Sequence, residues 1–327
     1  MQDGWARRER HLTLDAAALG VLLAPALPGA VVAEAEPLTG GLANTNYKVT
    51  LVGRRQPVVV RVYTREVAAC AKETALARLV EASVPVPRVL YADCAGATGG
   101  RPYQVMEWVD GTKLEQIIAT GDRDALASAA YALGETLVAL SGYPFAQAGF
   151  FDAGLAIVEP MDTLPVAVTQ YVTASLHDPR VRGRLGAALA AGVEAVVARR
   201  AALLEAVPAR ASLVHGDYKP QNLLLRRDAG GRWRTAAVLD WEFAFVGTPL
   251  FDLGQLLRYR ATLPPEYRDG VAAGYAAAGG ELPAEWPRIT RLLDLVNLCG
   301  FLARPEANRP MIAEVRALVE RTVAELA

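Results

Sequence analysis

The run HGDYKPQNLLL, His215 to Leu225, sets an aspartate, a lysine and an asparagine close together and then passes straight into an apolar stretch. A second stretch, AAVLDWEFAF, ends an apolar run at Leu239 and follows it at once with Asp240. Between them RRDAGGRWR reads as a turn, so the two apolar runs form a hairpin and Asp240 returns beside Asn222. Asn222 and Asp240 offer hard oxygen atoms, which suit Mg2+, an ion that takes few protein ligands and keeps waters or phosphate oxygens. Asp217 is then placed to orient an attacking hydroxyl or accept its proton. Lys219 is a point charge where a transferring phosphate needs one. This is the set that phosphoryl transfer calls for, since that chemistry rests on positioning and charge neutralisation. A lone HxD is more simply a self-capped turn. The run HxDxKxxN followed by strand, hairpin and strand-Asp argues against that reading.

These residues need elements to hold them. From Ala30 to Val109 the pattern is mostly strands: GAVVAEAEP, then NYKVTLVG after a glycine turn, then the β-branched VVVRVY. VAACAKETALARLVEAS, Val67 to Ser83, has apolar residues at helical spacing, and VPVP ends it. RVLYAD and YQVMEWV read as two further strands. After DGTKL the character changes. Leu126–Leu140, Leu164–Leu176, Val181–Val207 and several segments between Leu250 and Ala327 read as helices. Leu213 to Val246 is a β-rich island that carries the chemistry. The expected layout is a small sheet lobe and a larger helical lobe, joined near Glu107 to Gly111.

The whole chain fits this size. It has 327 residues, 52% of them hydrophobic, and a net charge of −1. That is enough for two lobes, and it lacks the basic balance of a nucleic-acid binder. The apolar stretch Ala16 to Ala33 is broken by Pro25, Pro28 and Gly29. It reads as a short helix, a turn and a strand, not as a membrane span or a leader. Cys70, Cys94 and Cys299 are far apart with no CxxC pair. That spacing argues against a disulfide framework or a structural zinc site, and makes a reduced, cytoplasmic setting the expectation.

HGDYKPQNLLL with VLDWEFAFVGTPLFDLG resembles the aminoglycoside phosphotransferase-like superfamily. That group is related in fold to protein kinases and includes kinases for aminoglycosides, homoserine and choline. The resemblance covers nearly the whole chain. It implies an α+β, protein-kinase-like bilobal fold. Residues 1–109 would form a nucleotide-binding lobe of five antiparallel strands and one main helix. Residues 110–327 would form the mainly helical lobe with the catalytic loop and acceptor site. It also implies that Asp217 is the catalytic aspartate, that Asn222 and Asp240 hold Mg2+, and that His215 and Asp252 brace the loop.

The small lobe offers the nucleotide site. TGGLANTNYKV is a candidate phosphate-covering turn, with Gly40 and Gly41 letting backbone N–H groups approach and Asn44, Thr45 and Asn46 adding donors. It resembles the nucleotide loop of the homoserine- and choline-kinase branch. Arg61 stands in the third strand where protein kinases carry lysine, and Glu73 on the next helix is its expected partner. QVMEWV resembles the hinge, with the main chain of Glu107, Trp108 and Val109 reading adenine and Met106 as apolar neighbour. ATP is the expected nucleotide, and the side chains do not separate it from GTP.

The acceptor is less legible. An aminoglycoside is polycationic and calls for acids, of which Glu242 and Asp152 are the weak candidates. An aminoglycoside-type hydroxyl is the acceptor favoured by the resemblance. The alternatives are a metabolic kinase for homoserine, choline or a sugar, and a nucleotide-binding pseudokinase. The intact Asp217, Asn222 and Asp240 set argues against the last. The absence of an APE-ended segment after Asp240 argues against a protein kinase.

Overall fold

The computed structural model describes residues 12–38, 44–64 and 68–327. The first helix, α1 (Ala16–Leu23), is capped by Asp15, whose Oδ1 accepts from the Ala18 N–H. Five strands follow, with one helix among them: β1 (Val32–Leu38), β2 (Thr45–Leu51), β3 (Val58–Val62), α2 (Ala69–Val80), β4 (Val89–Asp93) and β5 (Tyr103–Glu107). They form one antiparallel sheet in the order β1-β2-β3-β5-β4.

Strand alternation divides the residues of this sheet between two faces. Val58, Val60 and Val62 share a buried core with Tyr47, Val49 and the leucines of α1. Arg61, between Val60 and Val62, projects to the opposite face. Its cross-strand partners Asn46 and Gln104 lie on that same face. Helix α2 covers this side, but its apolar residues Leu76 and Val80 belong to the core of the other lobe. The helix therefore bridges the lobes.

The second lobe begins with β6 (Thr112–Lys113), α3 (Leu114–Ala119) and α4 (Arg123–Ser141). A hairpin of β7 (Gly149–Phe151) and β8 (Ile157–Pro160) leads to α5 (Leu164–His177), α6 (Pro179–Leu185) and α7 (Ala187–Arg200). The sequence suggests one helix from 181 to 207. The chain instead breaks at Gly186, whose φ of 78° belongs to the left-handed region and ends α6. The island then supplies β9 (Ser212–Val214), β10 (Leu223–Arg227), β11 (Trp233–Val238) and β12 (Phe245–Gly247). Helices α8 (Leu250–Leu256), α9 (Pro265–Ala277), α10 (Trp286–Ala303) and α11 (Arg309–Leu326) complete the lobe. Leu133, Leu137 and Leu140 of α4 are fully buried. Each such side chain contributes about 1.5–3 kcal/mol by leaving water.

One expectation about covalent structure is overturned. Cys70 and Cys94 form a disulfide across 24 residues of sequence. Spacing alone hid it, because strand β4 folds back alongside α2 and brings the two Cα atoms to 5.5 Å. Cys299 is a buried free thiol.

Candidate active site

The catalytic loop is built on β9. As the strand ends, His215 is completely buried. Its Nε2 donates to the Leu239 carbonyl at 3.0 Å, and its Nδ1 accepts from the Asp217 N–H at 3.2 Å. That pair of partners fixes the tautomer. Burial pushes the imidazole pKa down to about 4, so the ring is neutral. Gly216 has φ 79°, and a Cβ there would stand 2.2 Å from the Phe243 carbonyl oxygen, so only glycine fits. Asp252, the third residue of α8, accepts from the backbone N–H groups of His215 at 2.7 Å and Gly216 at 2.9 Å. Burial raises its pKa to about 7, against the pull of those two N–H groups.

Beyond this brace the chain turns Asp217 toward the cleft and Tyr218 into the core, where its hydroxyl donates to the Leu133 carbonyl. Asp217 Oδ2 accepts from Lys219 Nζ at 2.8 Å and from Asn222 Nδ2 at 2.8 Å. Asn222 Nδ2 also donates to the Asp217 carbonyl. Its amide nitrogen is thereby engaged, and the oxygen is the atom that remains for a cation. The Leu239 N–H donates to the Asn222 carbonyl at 2.8 Å, which closes the hairpin and brings Asp240 to the same end. Asp240 holds φ 69° without being glycine, a strained backbone at a point where a side chain must be aimed.

Asp240 also meets the small lobe. Arg61 Nη2 reaches Asp240 Oδ1 at 2.6 Å and Glu73 Oε1 at 3.1 Å. Glu73 Oε2 accepts from the buried Tyr63 hydroxyl at 2.9 Å. Burial works against the Asp240 carboxylate, but Arg61 beside it holds its pKa below the ordinary value. Burial pushes Glu73 up to about 7. Burial and then the neighbouring Asp240 charge push Glu242 up to about 8. Glu73, Asp240 and Glu242 each present an oxygen, and these lie within 4.8 Å of one another. Three hard oxygens at that spacing have the donor chemistry of a Mg2+ site, so the residues present fit the ion. Two buried atoms on the Arg61 face have no hydrogen-bond partner, Arg61 Nε and Asn46 Oδ1.

Some expected residues stand elsewhere. Glu242 joins the carboxylate cluster rather than an acceptor wall, because the turn after Asp240 is short. Asp152 Oδ1 accepts from the N–H groups of Gly154 and Ala156, and so buttresses the β7–β8 turn. The Thr45 hydroxyl accepts from the Leu12 N–H and is fully buried, since alternation turns it away from the Asn46 face. Asn44 is buried at the start of β2. Gly40 and Gly41 lie outside the described residues. In the hinge, the Glu107 N–H donates to the Arg88 carbonyl and the Trp108 N–H to the Pro57 carbonyl. Trp108 Nε1 donates to Asp110, and Lys48 stands over its ring. Met106 is the register partner of Val59, on the Arg61 face.

Sequence reasoning missed three residues here. Tyr63 and Gln104 flank Arg61 on the sheet, and Lys72 donates to the Glu242 carbonyl. The period of two in VVVRVY pairs Tyr63 with Arg61, a signal that was available.

The sequence profile of the phosphotransferase enzyme family matches residues 34–290. The chain belongs to that family. The match spans both the Arg61–Glu73 pair and the catalytic loop. No curated protein sequence matches the chain. Among solved structures, a thermostable mutant of aminoglycoside phosphotransferase APH(4)-Ia, in ternary complex with AMP-PNP and hygromycin B, is similar at 19% identity. It covers 95% of this chain and 99% of its own, with a TM-score of 0.69. The GDP and kanamycin complex of APH(2")-IIia is similar at 19% identity over 94% of this chain and 98% of its own, with a TM-score of 0.72. The GDP complex of wild-type aminoglycoside 2'-phosphotransferase-IIIa is similar at 20% identity over 95% and 99%, with a TM-score of 0.68. The fold of this phosphotransferase is therefore the bilobal, kinase-like one. Among the described residues, no helix is long and apolar enough to cross a membrane.

Proposed function

We propose that this phosphotransferase moves the γ-phosphoryl group of ATP to a hydroxyl of a small acceptor, in the cleft between residues 1–109 and 110–327. One observation carries the reading: Asp217, Asn222 and Asp240 converge at one end of the β10–β11 hairpin, and Arg61 reaches them from the opposite lobe. Asp217 orients the acceptor hydroxyl and takes its proton as the oxygen attacks. Lys219, 2.8 Å from Asp217, moves to the charge that develops on the transferring group. Arg61 stays anchored to Glu73 and turns its open Nε edge to the nucleotide phosphates. Asn222, Asp240 and Glu242 would hold Mg2+, which supplies charge neutralisation on the phosphate oxygens. With two hinge amides already bonded, the Glu107 carbonyl and the Val109 N–H are the groups that read the base, beside Met106.

The acceptor proposed first is an aminoglycoside-type hydroxyl. The family and the hygromycin and kanamycin complexes of similar folds support it. A second reading, a metabolic kinase acting on homoserine, choline or a sugar, is favoured by one feature. Phe243 packs on the catalytic glycine, and Arg304 lies over Phe243 and Phe301, while Asp294 is closed off by a bidentate, buried bond to Arg258. Asp294 is therefore not available to a cationic acceptor. A coupled ADP-release assay with Mg-ATP or Mg-GTP, run across aminoglycosides, homoserine, choline and sugars, separates the two. The Asp217→Asn variant is the blank. Turnover on one class that vanishes in the variant names the acceptor. Turnover that survives in the variant removes Asp217 from the chemistry.

A further inference from the structure

Helix α2 carries Glu73, and its N-cap residue gives its first turn no side-chain bond. That residue is Ala68, and the first turn holds no acid. Its apolar anchors, Leu76 and Val80, lie further along and pack in the other lobe. The first turn is held instead by the Cys70–Cys94 bond, which ties it to the residue that follows β4.

A polar chain links this bond to the site. The Thr74 hydroxyl donates to the Cys70 carbonyl at 2.7 Å, and Gln104 Nε2 donates to the same carbonyl at 3.3 Å and to Thr74 Oγ1 at 2.6 Å. Gln104 is the register partner of Arg61 on the neighbouring strand. On the other side, Tyr63 shares a small buried cluster with Ala69 and Cys70, and its hydroxyl holds Glu73. The sulfurs thus sit one helical turn from Glu73, and Glu73 is the residue that positions Arg61.

We propose that the Cys70–Cys94 pair is a redox latch on nucleotide binding. Oxidised, it fixes the first turn of α2 and with it Glu73 and Arg61. Reduced, it releases that turn and weakens the grip on the nucleotide phosphates. The latch rests on the reading of Arg61 as a phosphate-binding cation. Disulfides in reducing compartments are typically transient and sensing rather than structural. A thiolate of a dithiol reductant attacks Cys94 Sγ, the half-buried sulfur of the pair, and Cys70 leaves as a thiolate that takes up a proton. The second thiol of the reductant resolves the mixed disulfide and leaves Cys94 as a thiol. Two electrons and two protons pass to the protein, and the reductant becomes a cyclic disulfide. Oxidised glutathione reverses the change. Cys299 takes no part, because it is fully buried in α10 and burial pushes its thiol pKa up to about 12.

The test measures binding of Mg-AMP-PNP by calorimetry, without acceptor, on the full chain poised with a dithiol or with oxidised glutathione. The expected result is a Kd about five- to tenfold weaker in the reduced protein. Cys94→Ser is expected to hold the weak value in both conditions, and Cys299→Ser to respond like the wild type. Amide exchange over residues 69–74 is expected to speed up on reduction. If Cys94→Ser does not fold, the redox titration of the wild type decides alone. Equal, tight binding in both states overturns the latch only. Three titratable thiols after oxidised glutathione also overturn it. Binding absent in both states overturns the nucleotide reading and the latch with it.

Discussion

The two walls of the cleft solve the same electrostatic problem in opposite ways. The catalytic loop satisfies most of its buried polar groups from within the protein and leaves the Asn222 amide oxygen open. Asp252 takes two N–H groups, His215 uses both ring nitrogens, and Asn222 is bonded to Asp217. The Arg61 wall is left incomplete. Three carboxylates crowd one guanidinium, two of them with raised pKa values, and Arg61 Nε and Asn46 Oδ1 have no partner. A finished network is rigid before substrate arrives, whereas an unfinished one is a demand for ligand cations and phosphate. The proposed chemistry falls on the more rigid wall and the proposed nucleotide binding on the incomplete one.

Mutations can break this contrast. Asp217→Asn keeps the hydrogen-bonding shape but not the base, and it is expected to lower kcat about a thousandfold with nucleotide affinity intact. A parallel loss of affinity, measured by calorimetry, would mean that the catalytic wall also binds nucleotide. Next comes Arg61→Ala. It removes the only guanidinium bonded to Asp240 among the described residues, and it is expected to raise the nucleotide KM more than about tenfold. An unchanged KM takes Arg61 out of the site. Tyr63→Phe deletes one hydroxyl from Glu73. It is expected to raise that KM about threefold with kcat constant, since the hydroxyl acts only through the position of Arg61. A fall in kcat instead would count against a positioning role.

A further effect is a tilt in stability with pH, in which two opposed contributions largely cancel. His215 has its pKa lowered from 6.5 to about 4 in the folded chain. Its contribution is full above pH 6.5 and is lost as pH falls toward 4, to a total on the order of 3 kcal/mol. Asp252 is raised from 3.8 to about 7, so its contribution is full below pH 3.8 and is lost as pH rises toward 7. The two slopes oppose each other between pH 4 and 6.5. Asp252→Asn removes one of them, and the Tm of that variant is expected to fall more steeply than the wild type on acidification over that window. Parallel Tm profiles would show that the buried brace does not titrate as a pair of opposed groups.

The strand and helix layout of the small lobe was legible because its alternation is strong. VVVRVY reads as a strand from its β-branched residues, and β3 runs Val58–Val62. The hairpin that returns Asp240 to Asn222 was legible for the same reason. The bonding of particular groups was not. Nothing in YQVMEWV says that the Glu107 and Trp108 amides are taken by Arg88 and Pro57, since those partners come from neighbouring strands. Glu242 and Asp152 were both weak candidates as acceptor acids, and one ends beside Asp240 and the other in a hairpin turn.

The sequence by itself determined that Asp217, Lys219, Asn222 and Asp240 come together, because the motif is short and local. The spacing within HGDYKPQNLLL and the single hairpin to Asp240 leave the backbone few ways to separate those side chains. Only the tertiary structure decided that Arg61 reaches Asp240 as well as Glu73, where Glu242 stands and whether Cys70 meets Cys94. Each of those pairings joins residues from different elements. Their distances depend on how β4 lies against α2 and how the two lobes close, and no local pattern encodes that packing.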